Sequence, residues 1–471
     1  MIDVAEVLRE APSSKTFCSV EKLLSFVEML RRDSPGFKVE VAGTSANGVP
    51  IHHVRFGTGS VKALLVAGLH VHEPIGSLTV FSLMTLLHQG NPALLKADVE
   101  WHIMPCIDPD GVLLNEGWSQ KPFTFDNYMR NFYLQRYRDQ VDGSFPITYK
   151  KLSWNQPTRE AEILKGTLEQ IRPDFYQPLH NTRTGGAFFY LSRDIGQEHY
   201  REIYKVLEQQ DFPIQTRPIW REILTPFAEG IVEQYTARKH YDHLERTTAS
   251  PEELLHGATS WEYLIEIKPS ALTFIAELGY ARHPSDESER STGQNLRQFK
   301  LRVEADSKFL ATILLEEWEK VKGDLDPENP LYRAIVGGGA ALPEKDKLCE
   351  GGLPLSLYPT RDTLFNPQYN KSMTEADLYD ACIVSGGFIF LRSSYQFVRL
   401  LKASPQTPAV RRAIERLDHK FDEALAEIAR HVDFDALEVI DCDTVAKVQL
   451  GSGLTALNSL LETRNGTKGK R

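Results

Sequence analysis

Apolar residues recur along this chain with two different periods. In "VEKLLSFVEMLRR" (20–32), Leu23, Leu24, Val27 and Leu30 fall at helical spacing and predict an amphipathic helix. "KVEVAGTSANGVPIHHVRFG" then reads as two short alternating segments around Asn47-Gly48, the pattern of a hairpin. "KALLVAG" (62–68) and the first half of "DVEWHIMPCIDPDG" (98–111) are apolar runs of strand length, as expected of strands covered on both faces. Between them, "IGSLTVFSLMTLLHQG" predicts a largely apolar helix, with Pro74 suited to its first turn. "PTREAEILKGTLEQI" (157–171) predicts another helix, and "DFYQPLHN" (174–181) and "ALTFIAELG" (271–279) two more strands. Strand and helix alternate, so the pattern predicts an α/β fold: a mostly parallel mixed sheet with helices on both faces.

The pattern changes around 322–345, where "KGDLDPENPLYRAIVGGGAALPEKDK" is rich in Gly, Pro and charge. This suggests two parts, a main domain over 1–325 and an accessory α+β region over 326–471. In the second part, Ile414, Leu417, Phe421, Leu425, Ile428 and Val432 line one face of a helix that begins at Thr407-Pro408. Packing within the chain is the simpler use of that stripe; a homodimer seam is the alternative.

Composition narrows the class. The net charge of −10 supplies no basic excess to displace counterions, which argues against a nucleic-acid binder. Five scattered cysteines, Cys18, Cys106, Cys349, Cys382 and Cys442, form no CxxC pair and read as reduced thiols. The opening "MIDVAEVLREAPSS" is acidic where a signal peptide is basic, and no apolar run approaches membrane-spanning length. The expectation is a cytoplasmic protein with no membrane partner.

In sheets of this kind, ligands gather at the carboxyl ends of strands. His70, Asp110, His180 and Glu277 all fall at or just past such ends. His70-x-x-Glu73 offers two metal ligands at a strand-to-helix turn, and a catalytic zinc takes about three protein ligands with one position left open. Read alone, the pair equally suits a polar helix start, where the helix dipole favours glutamate.

The ordered set "GLHVHE", "IDPDGV", "MRNF", "PLHN" and "FIAELG" resembles the zinc metallocarboxypeptidase family, whose motifs run G-x-H-x-x-E, N-P-D-G, N-R-N-F, a ligand histidine and a catalytic glutamate. The resemblance extends over about residues 20–310. It implies one zinc per chain held by His70, Glu73 and His180, with Glu277 as general base. It also implies that Arg130 and Asn131 meet a substrate carboxylate, a task suited to the forked guanidinium. Arg183, just after the third ligand, is a further candidate contact for an anionic substrate. The sequence departs from the family in three places. The family's carbonyl-polarising Arg has no counterpart between Gly111 and Met129, where Lys121 is the sole cation; Met129 replaces the Asn before Arg130; and the acid that orients a ligand histidine is Asn127 or, one residue off, Asp126. The implied reaction is hydrolysis of a peptide or amide bond near a C-terminal residue. The alternatives are an N-acyl amino acid deacylase resembling the succinylglutamate desuccinylase and aspartoacylase group, and a binding protein of this shape without catalysis.

Overall fold

The computed structural model describes residues 1–215, 223–246, 248, 250–336, 364, 367–384 and 386–468. Two compact units interleave along the chain. Met1–Leu113, Gln140–Ala281 and Ile440–Arg471 form the first; Leu114–Asp139 and Arg282–Val439 form the second. The sequence suggests instead one boundary near 325; the later part of that Gly- and Pro-rich run, with Cys349, lies outside the described residues.

The first unit is built on a nine-stranded sheet. Its strands in chain order are β1 (Phe37–Thr44), β2 (Pro50–Phe56), β3 (Val61–Val66), β4 (Val99–Met104), β5 (Phe175–Pro178), β6 (Phe188–Leu191), β7 (Pro226–Ala228), β8 (Ile231–Glu233) and β9 (Leu272–Glu277). Across the sheet they run β1-β2-β4-β3-β5-β9-β6-β8-β7. The centre, β4-β3-β5-β9, is parallel. On one side β1 and β2 pair antiparallel and β2 meets β4 antiparallel; on the other β6 meets β9 antiparallel. The sheet is therefore mixed, with its parallel strands innermost.

The central strands are apolar on both faces because helices cover both. On one face Leu64, Val66, Tyr176 and Ile275 join Leu164 and Leu168 of helix Arg159–Ile171 and Trp261 and Leu264 of helix Ser260–Ile267 in a single core. Helix Ile75–Gln89 is buried nearly all round, and helix Cys442–Lys468 packs on it and against β5 and β9. The β1–β2 turn uses Gly48 at φ 81°, a left-handed conformation that favours glycine. Asp110 anchors this turn, accepting from Ser45 Oγ (2.9 Å) and the Asn47 amide (2.9 Å), while Asp108 accepts from the Gly111 amide (2.9 Å). Both DPDG acids thus serve turns.

Among its described residues the second unit is largely helical, with a short antiparallel pair, Ser291–Asn295 with Ser372–Thr374. Helices Leu296–Val321, Gly387–Ala403 and Pro408–Ala429 form its body. Leu417, Phe421, Ile428 and Val432 of the expected stripe are buried within it. Residues 114–139 join these helices for a specific reason. The Arg399 guanidinium donates to the carbonyls of Leu114 (2.8 Å), Asn131 (2.7 Å) and Phe132 (2.7 Å), and Phe125 packs against Phe388 with ring centroids 4.8 Å apart. No described helix is long and apolar enough to cross a membrane.

Candidate metal centre

Strand β3 ends at Val66, and the chain turns through His70 and Glu73 before helix Ile75–Gln89 begins. The Glu73 amide donates to the His70 carbonyl (3.0 Å), closing a turn that brings both side chains to one point. The first helical amide, that of Ile75, donates to Asn181 Oδ1 (3.1 Å), so a residue beyond β5 caps the helix that follows Glu73. Asn181 also donates its own amide to Glu73 Oε2 (3.1 Å). His180 therefore arrives beside Glu73 by way of its neighbour's bonds.

The three side chains converge tightly. His70 Nδ1 lies 2.8 Å from Glu73 Oε1, His180 Nδ1 lies 3.0 Å from Glu73 Oε2, and the two Nδ1 atoms are 3.2 Å apart. Burial alone pushes the Glu73 carboxyl up, but the adjoining His70 and His180 outweigh it and hold the group well below the usual carboxylate range. For His180 burial pushes down, and its bonds to Asp142 and Glu73 outweigh that and raise it well above the usual imidazole value. Glu73 is thus held ionised and His180 protonated, each by the other's charge.

Asp142 sets which nitrogen His180 presents. Its Oδ2 lies 3.1 Å from His180 Nε2, and its Oδ1 accepts from the Ser260 amide (2.7 Å) at the start of helix Ser260–Ile267. With Nε2–H donating to this carboxylate, Nδ1 is the nitrogen that faces Glu73 and His70, and the one that loses its proton when a cation binds there. Two imidazole nitrogens and a carboxylate, one imidazole fixed from behind, fit a zinc ion. Trp261 closes the far side, edge-on to the His180 ring at 5.4 Å.

Glu277 ends β9, opposite Phe188 of β6. Burial, and next the charge of Glu73, push its carboxyl up to about 7; His180 and His70 pull the other way. This places it within electrostatic reach of all three prospective ligands. A second cluster, Glu198, His199 and Glu462, also gathers ligand atoms, but Glu198 is mostly exposed and the imidazole sits 3.5 Å from the nearer carboxylate.

Residues 23–150 match the family model described as zinc carboxypeptidase. The match spans about a quarter of the chain and shows a likeness of this segment to that family. The segment contains His70, Glu73 and Asp142; His180 and Glu277 lie beyond it. No curated protein matches the chain. Among solved structures, carboxypeptidase A from Helicoverpa armigera is 14% identical, with 59% of this chain and 69% of that one covered and a TM-score of 0.37. A metallo-carboxypeptidase from Burkholderia cenocepacia is 16% identical, with 56% and 60% covered and a TM-score of 0.35.

The four residues expected at the centre of a zinc carboxypeptidase, His70, Glu73, His180 and Glu277, come together in the first unit. Lys121, Arg130 and Asn131 belong to the second. There Arg130 is engaged by Asp126 (2.8 Å), Tyr395 Oη (3.0 Å) and Asp422, an ion-pair network of that unit rather than an open carboxylate clamp. Asn131 donates to Asn127 Oδ1 (2.9 Å), and Lys121 is exposed. Neither acid position expected to orient a ligand is used so: Asp126 pairs with Arg130 and Asn127 with Asn131, and Asp142 does the work on His180 instead. Arg183 lies half-buried in the first unit, its carbonyl accepting from the Tyr280 amide (3.2 Å). His72 Nε2 stands 3.8 Å from Glu73 Oε1, with its ring stacked on His70. Sequence reasoning missed Asp142 because "QVDGSFP" carries no spacing signal; only the fold brings it to His180.

Proposed function

We propose that this protein is a zinc-dependent hydrolase of peptide or amide bonds, acting near a C-terminal residue of its substrate. The observation that carries the reading is the convergence of His70 Nδ1, the Glu73 carboxylate and His180 Nδ1, with Asp142 fixing His180 and Glu277 pushed up to about 7 beside them. The family match over residues 23–150 supports it. Zinc at such a site supplies a Lewis acid and lowers the pKa of water toward ~7. The chain's own groups do the rest. Glu277 takes the proton of the attacking water and passes it to the departing amine, a task suited to a carboxyl whose pKa lies near neutrality. Asp142 keeps His180 in the tautomer that presents Nδ1. Arg183, three residues past His180 and in the same unit, is the candidate contact for an anionic substrate group.

The test is metal content by elemental analysis, followed by turnover. Wild-type protein is expected to carry about one zinc per chain, and His180→Ala to lose most of it. Glu277→Gln is expected to keep the metal and lose about 10³-fold or more in turnover. Screening C-terminally varied peptides against N-acyl amino acids separates the peptidase from a deacylase. A wild-type protein that neither contains nor takes up zinc sinks the proposal.

A further inference from the structure

Helix Cys442–Lys468 lies outside the family match and outside the region that resembles the family, yet it belongs to the same compact unit as the ligands. Its buried face is apolar for the most part, with Val445, Val448, Leu454 and Leu457, but not throughout. Gln449 and Ser452 are fully buried there. A buried amide is costly unless its bonds are made, by roughly 1–3 kcal/mol. Gln449 makes them on both sides. Its Nε2 donates to the His180 carbonyl (2.7 Å), and its Oε1 accepts from Thr79 Oγ1 (2.7 Å). Thr79 sits in the second turn of helix Ile75–Gln89, the helix that begins just after Glu73. One side chain thus joins the backbone of the third ligand to the helix following the second.

The His180 carbonyl needs such a partner. Strand β5 ends at Pro178, so the sheet ladder no longer serves the backbone at residue 180. Asp142 holds the imidazole at its edge, and the amides of Leu179 and Asn181 donate to the Val66 carbonyl (2.9 Å) and Glu73 Oε2 (3.1 Å); the His180 carbonyl itself is held by Gln449. The close approach of the helix depends on Gly453: a Cβ there would meet Gln177 Oε1 at 2.1 Å. Gln177 in turn donates to the Gln449 carbonyl (3.2 Å), locking the helix at that level.

We propose that Gln449 is a positioning residue for the metal centre, holding the main chain of His180 so that its Nδ1 meets His70 and Glu73. This rests on the reading of His70, Glu73 and His180 as a zinc site. The experiment is a chelator competition that measures zinc affinity, run beside thermal melting of the metal-free proteins. Gln449→Met keeps the volume and removes both side-chain bonds; it is expected to weaken zinc binding about 10–100-fold, as loss of a group supporting a ligand does. Gln177→Met is the control. It removes an equally buried donor to the same helix without touching His180, and is expected to melt earlier while binding zinc as wild type does. Wild-type affinity in Gln449→Met, or an equal loss in both variants, overturns the proposal in favour of plain packing. Should Gln449→Met fail to fold, Thr79→Val releases the other end of the same amide. An affinity drop of about threefold or more, the scale of one net hydrogen bond, supports the proposal, and an unchanged affinity overturns it. Absence of zinc from the wild-type protein is a separate outcome, which removes the metal reading itself.

Discussion

Asp142 and His180 illustrate how much chemistry one proton position controls. The Ser260 amide needs an acceptor at residue 142, so in Asp142→Asn the oxygen stays with Ser260 and the amide NH₂ turns toward His180 Nε2. That forces the imidazole proton onto Nδ1, the atom that faces Glu73. Metal affinity is expected to fall about 10–100-fold, measured by chelator competition, with little change in size or shape of the side chain. A different histidine pair governs stability. His53 Nε2 lies 2.9 Å from His102 Nδ1, and His102 Nε2 lies 2.8 Å from Glu100. Burial, then the neighbouring His102, push His53 down to about 4, against 6.5 for the free side chain. The unfolded chain therefore binds a proton at this position between those values that the folded chain refuses. The stabilising contribution is whole above pH 6.5 and is lost as pH falls toward 4. Denaturant midpoints measured across that range are expected to fall in the wild type and to fall less steeply in His53→Gln.

At the scale of elements, helix Cys442–Lys468 reverses an ordinary rule. Alanine normally stabilises a helix over glycine by about 1 kcal/mol. At position 453 the added methyl would collide with Gln177, so Gly453→Ala is expected to destabilise the protein by about 1–3 kcal/mol, read from the thermal midpoint. The same helix marks the limit of what the sequence conveys. Helix Val20–Asp33, strands β2 to β5 and β9, and helix Pro408–Ala429 announce themselves by period, because each has one dry face or is dry throughout, and β1 by the Asn47-Gly48 turn that pairs it with β2. Cys442–Lys468 does not, since its buried positions include Gln449, Ser452 and Thr455, whose polarity is answered only in three dimensions. Strand β6, "FFYL", is too short to separate from a helical fragment by pattern. The metal cluster was legible because ordered motifs name His70, Glu73, His180 and Glu277 directly. Asp142 and Gln449 were not, because a supporting partner is chosen by proximity and leaves no spacing behind. Arg130 shows the converse: its motif is present, and its bonds go to Asp126, Tyr395 and Asp422.

The whole molecule carries the interleaving of its two units. The first unit draws on three stretches of chain, and the last of these, Ile440–Arg471, covers β5 and β9. A chain ending at residue 439 keeps every prospective ligand and Glu277, yet is expected to bind no zinc and to lose cooperative unfolding, because the back of the central strands is bare and the His180 carbonyl has lost its donor. Zinc content and a denaturant titration on that shortened protein check both.

Biosynthesis gives this arrangement a direction in time. Chains emerge from the ribosome in order, and units fold as their parts become available. The second unit is complete once residue 439 has emerged, while the first must still wait for the stretch carrying Gln449. For that interval the prospective hydrolase exists with all its ligands translated and its centre unfinished. A metal centre built this way stays unfinished through translation of the whole second unit, and closes only when the helix behind it has been made.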